Sequence, residues 1–288
     1  MSASEFPHGV EVLAAAPLGH ATGYPDTYDP AQLFAVARAP QREALGLARD
    51  APLPFTGRDA WTAYELTWLM PSGKPAIAIA ALDVPATSPS LVESKSMKLY
   101  LGSFAQTTFA TAREVAATIA RDLSAAVGAQ VGVALRAPDA FAAEHIAELR
   151  GESLDSVEIR CAHDAVADVD PAILTVAAGA PVDEALTTNL FRSVCPVTGQ
   201  PDIASVRIAY RGPRIDRAGL LRYLVSYRRH PGFHEHCVER IFVDVAARCA
   251  PAALTVEARF TRRGGIDINP WRTNAGTPAP PNVRTARQ

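Results

Sequence analysis

The sequence predicts an α+β fold with two antiparallel sheets, each with helices packed on one face. Consecutive strand-like segments are joined by short connections, which favour antiparallel pairing. A segment with the apolar spacing of an amphipathic helix follows, and then another strand. The same order occurs twice at a constant offset of 123 residues, which aligns Tyr100 with Tyr223. We therefore predict that the 288-residue chain contains two copies of one ββαβ unit.

The strands of the first copy are indicated by apolar runs between turn residues. Residues 1–60 are rich in Pro and Ala, and we expect them to form an irregular arm. An apolar and aromatic run over 61–69 is separated from the buried-type strand 76–84 by a Pro-Ser-Gly turn at 71–73. The segment 131–136 is predicted to be the last strand of this copy.

The helix of the first copy has a recognisable start. Thr111 and Glu114 have the spacing of a capping box, in which Thr accepts from the third helical amide and Glu reaches back to the cap amide. One apolar face follows at the spacing i, i+4 and i+8, formed by Val115, Ile119 and Leu123.

The second copy repeats these elements. We predict strands over 203–210 and 254–260 and a helix from about His234, while 220–227 resembles 97–104. Two short apolar runs in the connection between the copies, 157–159 and 173–176, are candidates for additional strands. The predicted domains are an N-terminal repeat with its arm over 1–137, a connecting segment over 138–185 and a C-terminal repeat over 186–288.

Charge and composition limit the classes of partner. The chain has 28 basic and 30 acidic residues, a formal net charge of −2, which argues against binding nucleic acid through bulk positive charge. However, 205–272 contains thirteen Arg and no Lys against six acidic residues. This imbalance indicates a localised anionic partner, because guanidinium groups suit fixed contacts to phosphate. The alternative is a solvated helix face with ion pairs.

Targeting and redox signals are weak. Residues 1–10 lack a basic region followed by an apolar run, so we expect no secretory signal. The apolar stretch around 76–82 is far shorter than the roughly 20 residues of a membrane span. The four cysteines form no C-x-x-C pair. We therefore expect a cytoplasmic protein with reduced thiols and no membrane partner.

The two copies differ at polar positions in a complementary way. Cys195 lies where the first copy has Leu66, and His234-Glu235 lies where it has Thr111-Ala112. Glu93-Ser94-Lys95-Ser96 lies where the second copy has Asp216-Arg217-Ala218-Gly219. This pattern is expected if one composite site draws on both copies. The alternative is independent drift of two surfaces.

Three segments carry candidate chemistry. Cys195 lies in a turn rich in Pro and Gly that can expose a nucleophilic thiol, with Asp202 as a nearby acid or base; the alternative is a buried small hydrophobe. The segment 234–239 combines His234, Glu235 and Cys237. A buried Glu beside His favours a carboxylate that hydrogen-bonds the N–H edge of a heterocycle, or one that tunes a proton, over a zinc site. The Arg-Arg-Gly-Gly segment 262–265 suits a phosphate, or forms a plain β-turn. No Rossmann or P-loop glycine pattern occurs.

The chain resembles the NADPH-dependent 7-cyano-7-deazaguanine reductases of queuosine biosynthesis in their two-repeat form. The resemblance covers nearly the whole chain, from about Tyr24 to Arg272. It rests on four motifs: Val92-Glu93-Ser94-Lys95-Ser96-Met97-Lys98-Leu99-Tyr100, Cys195-Pro196-x-Thr198-Gly199-Gln200-Pro201-Asp202, Phe233-His234-Glu235 and Arg262-Arg263-Gly264-Gly265.

The resemblance implies a tandem tunnelling fold, a homodimer, and reduction of a nitrile to a primary amine with two NADPH and no catalytic metal. It implies that Cys195 attacks the nitrile carbon to form a thioimide, that Asp202 protonates the nitrile nitrogen and that His234 assists. A bound hemithioaminal and an imine would follow. The resemblance also implies two groups of ligand-binding residues. Val92, Glu93, Ser94, Phe233, His234 and Glu235 would bind the deazapurine, and Ser94, Lys95, Arg263 and Gly264 would bind NADPH.

Two other functions are considered. A zinc-dependent pterin or purine hydrolase of the same fold would use the His and Cys residues of 234–239 and would require stoichiometric zinc. A non-catalytic nucleotide- or tRNA-binding module would keep its binding when Cys195 is lost. The net charge argues against tRNA.

Overall fold

The computed structural model describes residues 23–161 and 169–288. These residues divide into two compact units. The first contains Ala60–Glu144, the segment before it up to Ala51, and Arg263–Ile266; the second contains Pro52–Asp59, His145–Arg262 and Asp267–Gln288. Residues 1–22 of the predicted arm, including the region tested for a secretory signal, lie outside the described residues.

The first unit is built on antiparallel strands in the order β5-β3-β2, with β1 and β4 paired separately. Its elements are β1 Ala35–Ala37, α1 Ala39–Ala44, β2 Thr56–Leu69, β3 Pro75–Pro85, β4 Ser90–Val92, α2 Ser94–Gly102, α3 Ala112–Val127 and β5 Gly132–Arg136. The three predicted strands and the predicted helix are confirmed. The prediction of an irregular arm is wrong in part, because β1, α1 and the start of β2 lie before residue 61.

The second unit has its strands in the order β10-β9-β8-β7-β6. Its elements are β6 Glu152–Ser153, β7 Val182–Val194, β8 Pro201–Gly212, α4 Arg217–Ser226, α5 His234–Cys249, β9 Ala253–Phe260 and β10 Ile266–Thr273. The predicted strands and helix are confirmed here as well. The sheet is not purely antiparallel, because the short strand β6 pairs in parallel with β7.

The predicted repeat is visible in the elements. Shifting α2, α3 and β5 by 123 residues superimposes them on α4, α5 and β9 to within a few residues. Each copy contains two helices, however, so the unit is ββααβ rather than ββαβ. The additional helix is short, and in both copies an acidic side chain caps its first turn. The hydrophobic pattern of this helix spans too few residues to distinguish the helix from a loop in the sequence.

The start of α3 differs from the predicted capping box in one bond. Thr111 accepts from the amide of Glu114 at 3.1 Å, as predicted. The Glu114 carboxylate, however, accepts from the amide of Ala110 at 2.9 Å and not from that of Thr111. The predicted apolar face is fully buried.

The connecting segment contains less regular structure than predicted. Residues 157–159 form no strand, and within 173–176 only Val176 makes an isolated bridge, to Ile215. Part of this region is a short 3-10 helix, Pro171–Ile173, capped by the Asp170 side chain. Among the described residues, no helix is long and apolar enough to cross a membrane.

Candidate active site

Cys195 lies at the start of the tight loop that joins β7 to β8. Its amide donates to the carbonyl of Gln200 at 2.8 Å, and its carbonyl accepts from the amide of Gly199 at 2.9 Å. Gly199 has φ +68°, a left-handed conformation that glycine adopts without strain. The loop therefore fixes the Cys195 backbone. Cys195 is only 4% exposed, so the prediction that the turn exposes its thiol is wrong: the tight loop packs the side chain inward.

A second segment is tied to the backbone next to this cysteine. The amide of Val194 donates to the carbonyl of His230 at 3.0 Å, and the amide of Gly232 donates back to Val194 at 3.1 Å. These bonds align 230–232 with the end of β7. Helix α5 begins two residues later, so its first turn starts beside the Cys195 loop.

Asp202 and His234 form a buried pair. In the β7–β8 ladder Asp202 lies opposite Ser193, two residues before the cysteine. Its Oδ1 is 3.2 Å from Nε2 of His234, and both side chains are largely buried. The His234 ring stacks on Phe260, with centroids 3.8 Å apart and planes 8° from parallel. A carboxylate and an imidazole in contact can exchange a proton, which general acid–base chemistry requires.

The other ring nitrogen of His234 faces no hydrogen-bonding group in the part of the chain that the structure describes. Its Nδ1 is buried and has no hydrogen-bond partner among residues 23–161 and 169–288. Buried polar atoms in folded proteins are nearly always paired. The first turn of α5 therefore offers one hydrogen-bonding position to a ligand.

Glu235 and Phe233 flank His234 in the chain. Glu235 belongs to the first turn of α5 and is 2% exposed, and Phe233 is the N-cap residue and is half-buried. A carboxylate near the start of a helix is favoured by the helix dipole. Five of the predicted site residues, Cys195, Asp202, Phe233, His234 and Glu235, thus belong to the second unit.

Cys237 lies in α5, three residues after His234. It is completely buried, and burial raises the pKa of its thiol to about 12. It therefore remains a neutral thiol at ordinary pH. In the described parts of the chain, no group of three or more His, Cys, Asp and Glu side chains is arranged to hold a metal ion. The zinc alternative thus gains no support from the described residues of 234–239.

The remaining predicted site residues belong to the first unit. Glu93 is fully buried and caps α2, since its two carboxylate oxygens accept from the amides of Lys95 at 2.7 Å and Ser96 at 2.9 Å. Burial raises the pKa of Glu93, although these hydrogen bonds lower it. Val92, the last residue of β4, is buried, and Ser94 and Lys95 are half-buried.

The Arg263-Gly264-Gly265-Ile266 segment is a two-residue hairpin turn. Arg263 and Ile266 exchange both backbone hydrogen bonds, and the two glycines have φ +59° and +76°. A Cβ on Gly264 would lie 2.8 Å from the Lys98 side chain, and one on Gly265 would lie 2.3 Å from that of Glu65. The segment thus forms the β-turn that was the alternative to a phosphate site, and in this turn the exposed Gly264 lies against Lys98.

Much of the Arg excess serves internal ion pairs. Arg272 is completely buried between Asp59 and Glu239, each 2.8 Å away. Arg217 pairs with Glu184 at 3.0 Å. Other arginines of 205–272 also form ion pairs with carboxylates: Arg207, Arg214, Arg240 and Arg259. Ion pairs are therefore present as in the alternative, but Arg272 is buried in β10 and does not lie on a solvated helix face. The turn at Arg263 remains the segment predicted to contact phosphate.

The chain contains two repeats, and its Cys195 loop lies beside a buried carboxylate–imidazole pair. These features define a class: α+β proteins equipped for nucleophilic and acid–base chemistry. The family model described as "Nitrile reductase, 7-cyano-7-deazaguanine-reductase N-term" matches residues 24–135, and the one described as "QueF-like protein" matches 201–278. The chain belongs to the 7-cyano-7-deazaguanine reductase family.

Two curated relatives illustrate the likeness. An NADPH-dependent 7-cyano-7-deazaguanine reductase of Burkholderia pseudomallei is 57% identical over 274 residues, which cover 95% of this chain and 98% of the relative. The enzyme of the same name from Chromobacterium violaceum is 55% identical over 273 residues, with 95% and 96% covered. A crystal structure of an archaeosine synthase QueF-Like in the apo form matches 35% of this chain at 19% identity, with a TM-score of 0.30.

Proposed function

We propose that this chain uses NADPH to reduce the nitrile of 7-cyano-7-deazaguanine to 7-aminomethyl-7-deazaguanine in the biosynthesis of tRNA queuosine. The observation that carries the proposal is the near full-length match, at 55–57% identity, to reductases of that name. The buried Asp202–His234 pair beside the Cys195 loop supports the same chemistry.

Cys195 is the proposed nucleophile. A nitrile carbon accepts a thiol, so that one C–S bond forms while one π bond of the C≡N group breaks and the thiol proton ends on nitrogen. The product is a thioimide. Asp202 donates the proton to the nitrile nitrogen, and His234, at 3.2 Å from it, relays the proton that Asp202 must recover. Once the thioimide carbon has accepted a hydride, the nitrogen lone pair would form a C=N bond as the C–S bond breaks and the Cys195 thiolate leaves. The resulting imine would accept the second hydride to give the amine.

The hairpin turn at Arg263 fits the phosphate groups of NADPH. Exposed Gly264 lets a ligand approach the backbone, and Lys98 lies against it. We assign Ser94, Lys95, Arg263 and Gly264 to the cofactor. Each NADPH would supply one hydride when bound, so the four-electron reduction of a nitrile to an amine requires two NADPH in turn.

Carboxylates are the groups proposed to bind the deazaguanine by hydrogen bonds. The guanine-like edge presents N–H donors, which ionised carboxylates accept. Glu235 in the first turn of α5 takes this role, with Phe233 beside it, and Glu93 has the same role, with Val92 and Ser94 beside it. A site that must accept these hydrogen bonds rejects analogues that lack the donors.

We further propose that the chain adopts a tunnelling fold and forms a homodimer in the cytoplasm. Each copy has the order ββααβ, and all four cysteines are free thiols, as expected in a reducing compartment. Light scattering on the eluting protein distinguishes the dimer from a monomer.

Intact-mass spectrometry tests the function. The wild type mixed with 7-cyano-7-deazaguanine in the absence of NADPH should gain the full mass of the substrate, and Cys195→Ala should not. Cys161→Ala and Cys249→Ala are matched controls, since one removes an exposed thiol and the other a buried thiol. Both controls should retain the adduct and consume two NADPH per substrate. Absence of an adduct and of NADPH consumption in the wild type would refute the proposal.

A further inference from the structure

The segment that precedes Gln288 reaches back to the strand that carries Phe260. The Gln288 side chain is buried, and its amide nitrogen donates to the carbonyl of Phe260 at 2.9 Å and to Oδ1 of Asn269 at 2.7 Å. Its own oxygen accepts from the amide of Thr285 at 3.0 Å. Both amide protons and the oxygen are thus used, which gives a rigid buried connection.

This connection lies at the end of β9. Strands β9 and β10 pair through 271–273. Nearer to Phe260, the Gln288 amide bridges the two strands, because Phe260 belongs to β9 and Asn269 to β10. Asn269 is held in turn by Oδ1 of Asp267 at 2.7 Å. Gln288 therefore fixes the backbone at Phe260 through side-chain bonds.

Phe260 is the direct neighbour of the proposed proton relay. Its ring lies flat against the His234 imidazole at 3.8 Å, and its backbone pairs with Ala204, two residues after Asp202. The following amide, of Thr261, donates to the carbonyl of Ile203 at 2.9 Å. The position of Phe260 therefore sets the plane of the His234 ring relative to the Asp202 carboxylate.

We propose that Gln288 is a positioning residue for the His234–Asp202 pair and that it acts through Phe260. The inference rests on the proposed function for its kinetic consequence, but its structural consequence is independent of activity. If the His234 ring can tilt on Phe260, it spends less time in line with the Asp202 carboxylate. Proton transfer is sensitive to small displacements of the donor and acceptor atoms.

The test compares Gln288→Ala with Arg287→Ala. Arg287 belongs to the same segment and donates to the carbonyl of Asn189 at 2.8 Å, so its loss loosens the segment at a neighbouring point without removing the Phe260 bond. Gln288→Ala should lower kcat about tenfold with KM within about twofold, whereas Arg287→Ala should leave kcat within about twofold of the wild type.

A double mutant identifies the route. If Gln288 acts through Phe260, Gln288→Ala should cause no further loss of kcat in a Phe260→Leu background. Additive losses, or equal losses of kcat in the Gln288 and Arg287 variants, would overturn the proposal. Equal melting temperatures of the two single variants would show that any difference in kcat is not a difference in folding.

A spectroscopic readout separates this proposal from the function. Stacking on Phe260 should shift the His234 ring protons upfield in the NMR spectrum, and the shift should shrink in Gln288→Ala but not in Arg287→Ala. An unchanged shift in Gln288→Ala refutes the positioning role whatever the activity. If the wild type neither forms the adduct nor consumes NADPH, the proposed function fails while this measurement still tests Gln288.

Discussion

Glu93 and Asp216 occupy equivalent positions in the two copies, and each caps the helix that follows it. Only Glu93 is assigned to the deazaguanine. Comparing Glu93→Gln with Asp216→Asn therefore separates a structural role from a binding role, because both variants replace a carboxylate with the matching amide at the same place in the repeat.

The effect on stability should be moderate for Glu93→Gln and small for Asp216→Asn. Glu93 accepts two backbone hydrogen bonds on different oxygens, at 2.7 and 2.9 Å, and Gln retains one acceptor oxygen. The lost charged hydrogen bond costs about 1.5–3 kcal/mol. Removing a buried charge offsets part of this cost, because burial raises the pKa of Glu93. Asp216 accepts from Gly219 at 2.6 Å, and Asn caps helices about as well as Asp, so a few tenths of a kcal/mol are expected.

The effect on activity should differ strongly. One charge-assisted hydrogen bond to the substrate is worth about 1.5–3 kcal/mol, which is about a 10- to 150-fold loss of kcat/KM in Glu93→Gln. Asp216→Asn should stay within about twofold. Steady-state NADPH oxidation measures both, and thermal melts check folding. If the two variants lose activity equally, or if Glu93→Gln keeps it, Glu93 is a helix cap only.

The other predictions concern proton transfer, the buried ion pairs and acid sensitivity. Asp202→Asn should slow turnover by about 10²- to 10⁴-fold in a single-turnover assay, and near-normal turnover would remove it from the relay. Arg272→Met leaves Asp59 and Glu239 without their shared cation and should cost about 3–5 kcal/mol in guanidinium unfolding; a loss below about 1 kcal/mol contradicts this. Burial holds the pKa of His230 at about 3. Unfolded His takes up its proton near 6.5, so stability should fall by about 2 kcal/mol between pH 7 and 5 through this residue. In His230→Phe that loss should disappear from urea titrations at the two pH values, and an unchanged loss would assign it to other groups.

Local signals in the sequence predicted most of the elements. The capping residues before α3 and the fixed offset between copies located helices and strands correctly. Strand β10 was missed because Pro270 interrupts it and because all of its residues are buried, which removes the alternation that identifies a strand. Strand β7 was missed for a related reason, since its register shifts between Thr188 and Phe191 and breaks the period of two.

The site was predictable where its residues are close in sequence. Cys195 and Asp202 lie at the two ends of one loop, and the spacing of prolines and glycine indicated a rigid turn. The stack of His234 on Phe260 and the bond from Gln288 join distant segments, and such contacts follow only from strand pairing. Lys98 was quoted within a motif, but its contact with the turn at Gly264 depends on the same long-range folding.

The copies also differ in how they begin their second helix. Helix α3 has a Thr111 cap, whereas Phe233, the N-cap residue of α5, makes no side-chain cap hydrogen bond. Loss of such a bond costs about 1 kcal/mol at the positive end of a helix. In α5 this end carries His234 and Glu235. The helix of the second copy is therefore less stabilised at the end where its proposed catalytic and binding residues lie. Replacing a cap with an imidazole and a carboxylate is the exchange expected when stability is given up locally for a reactive site.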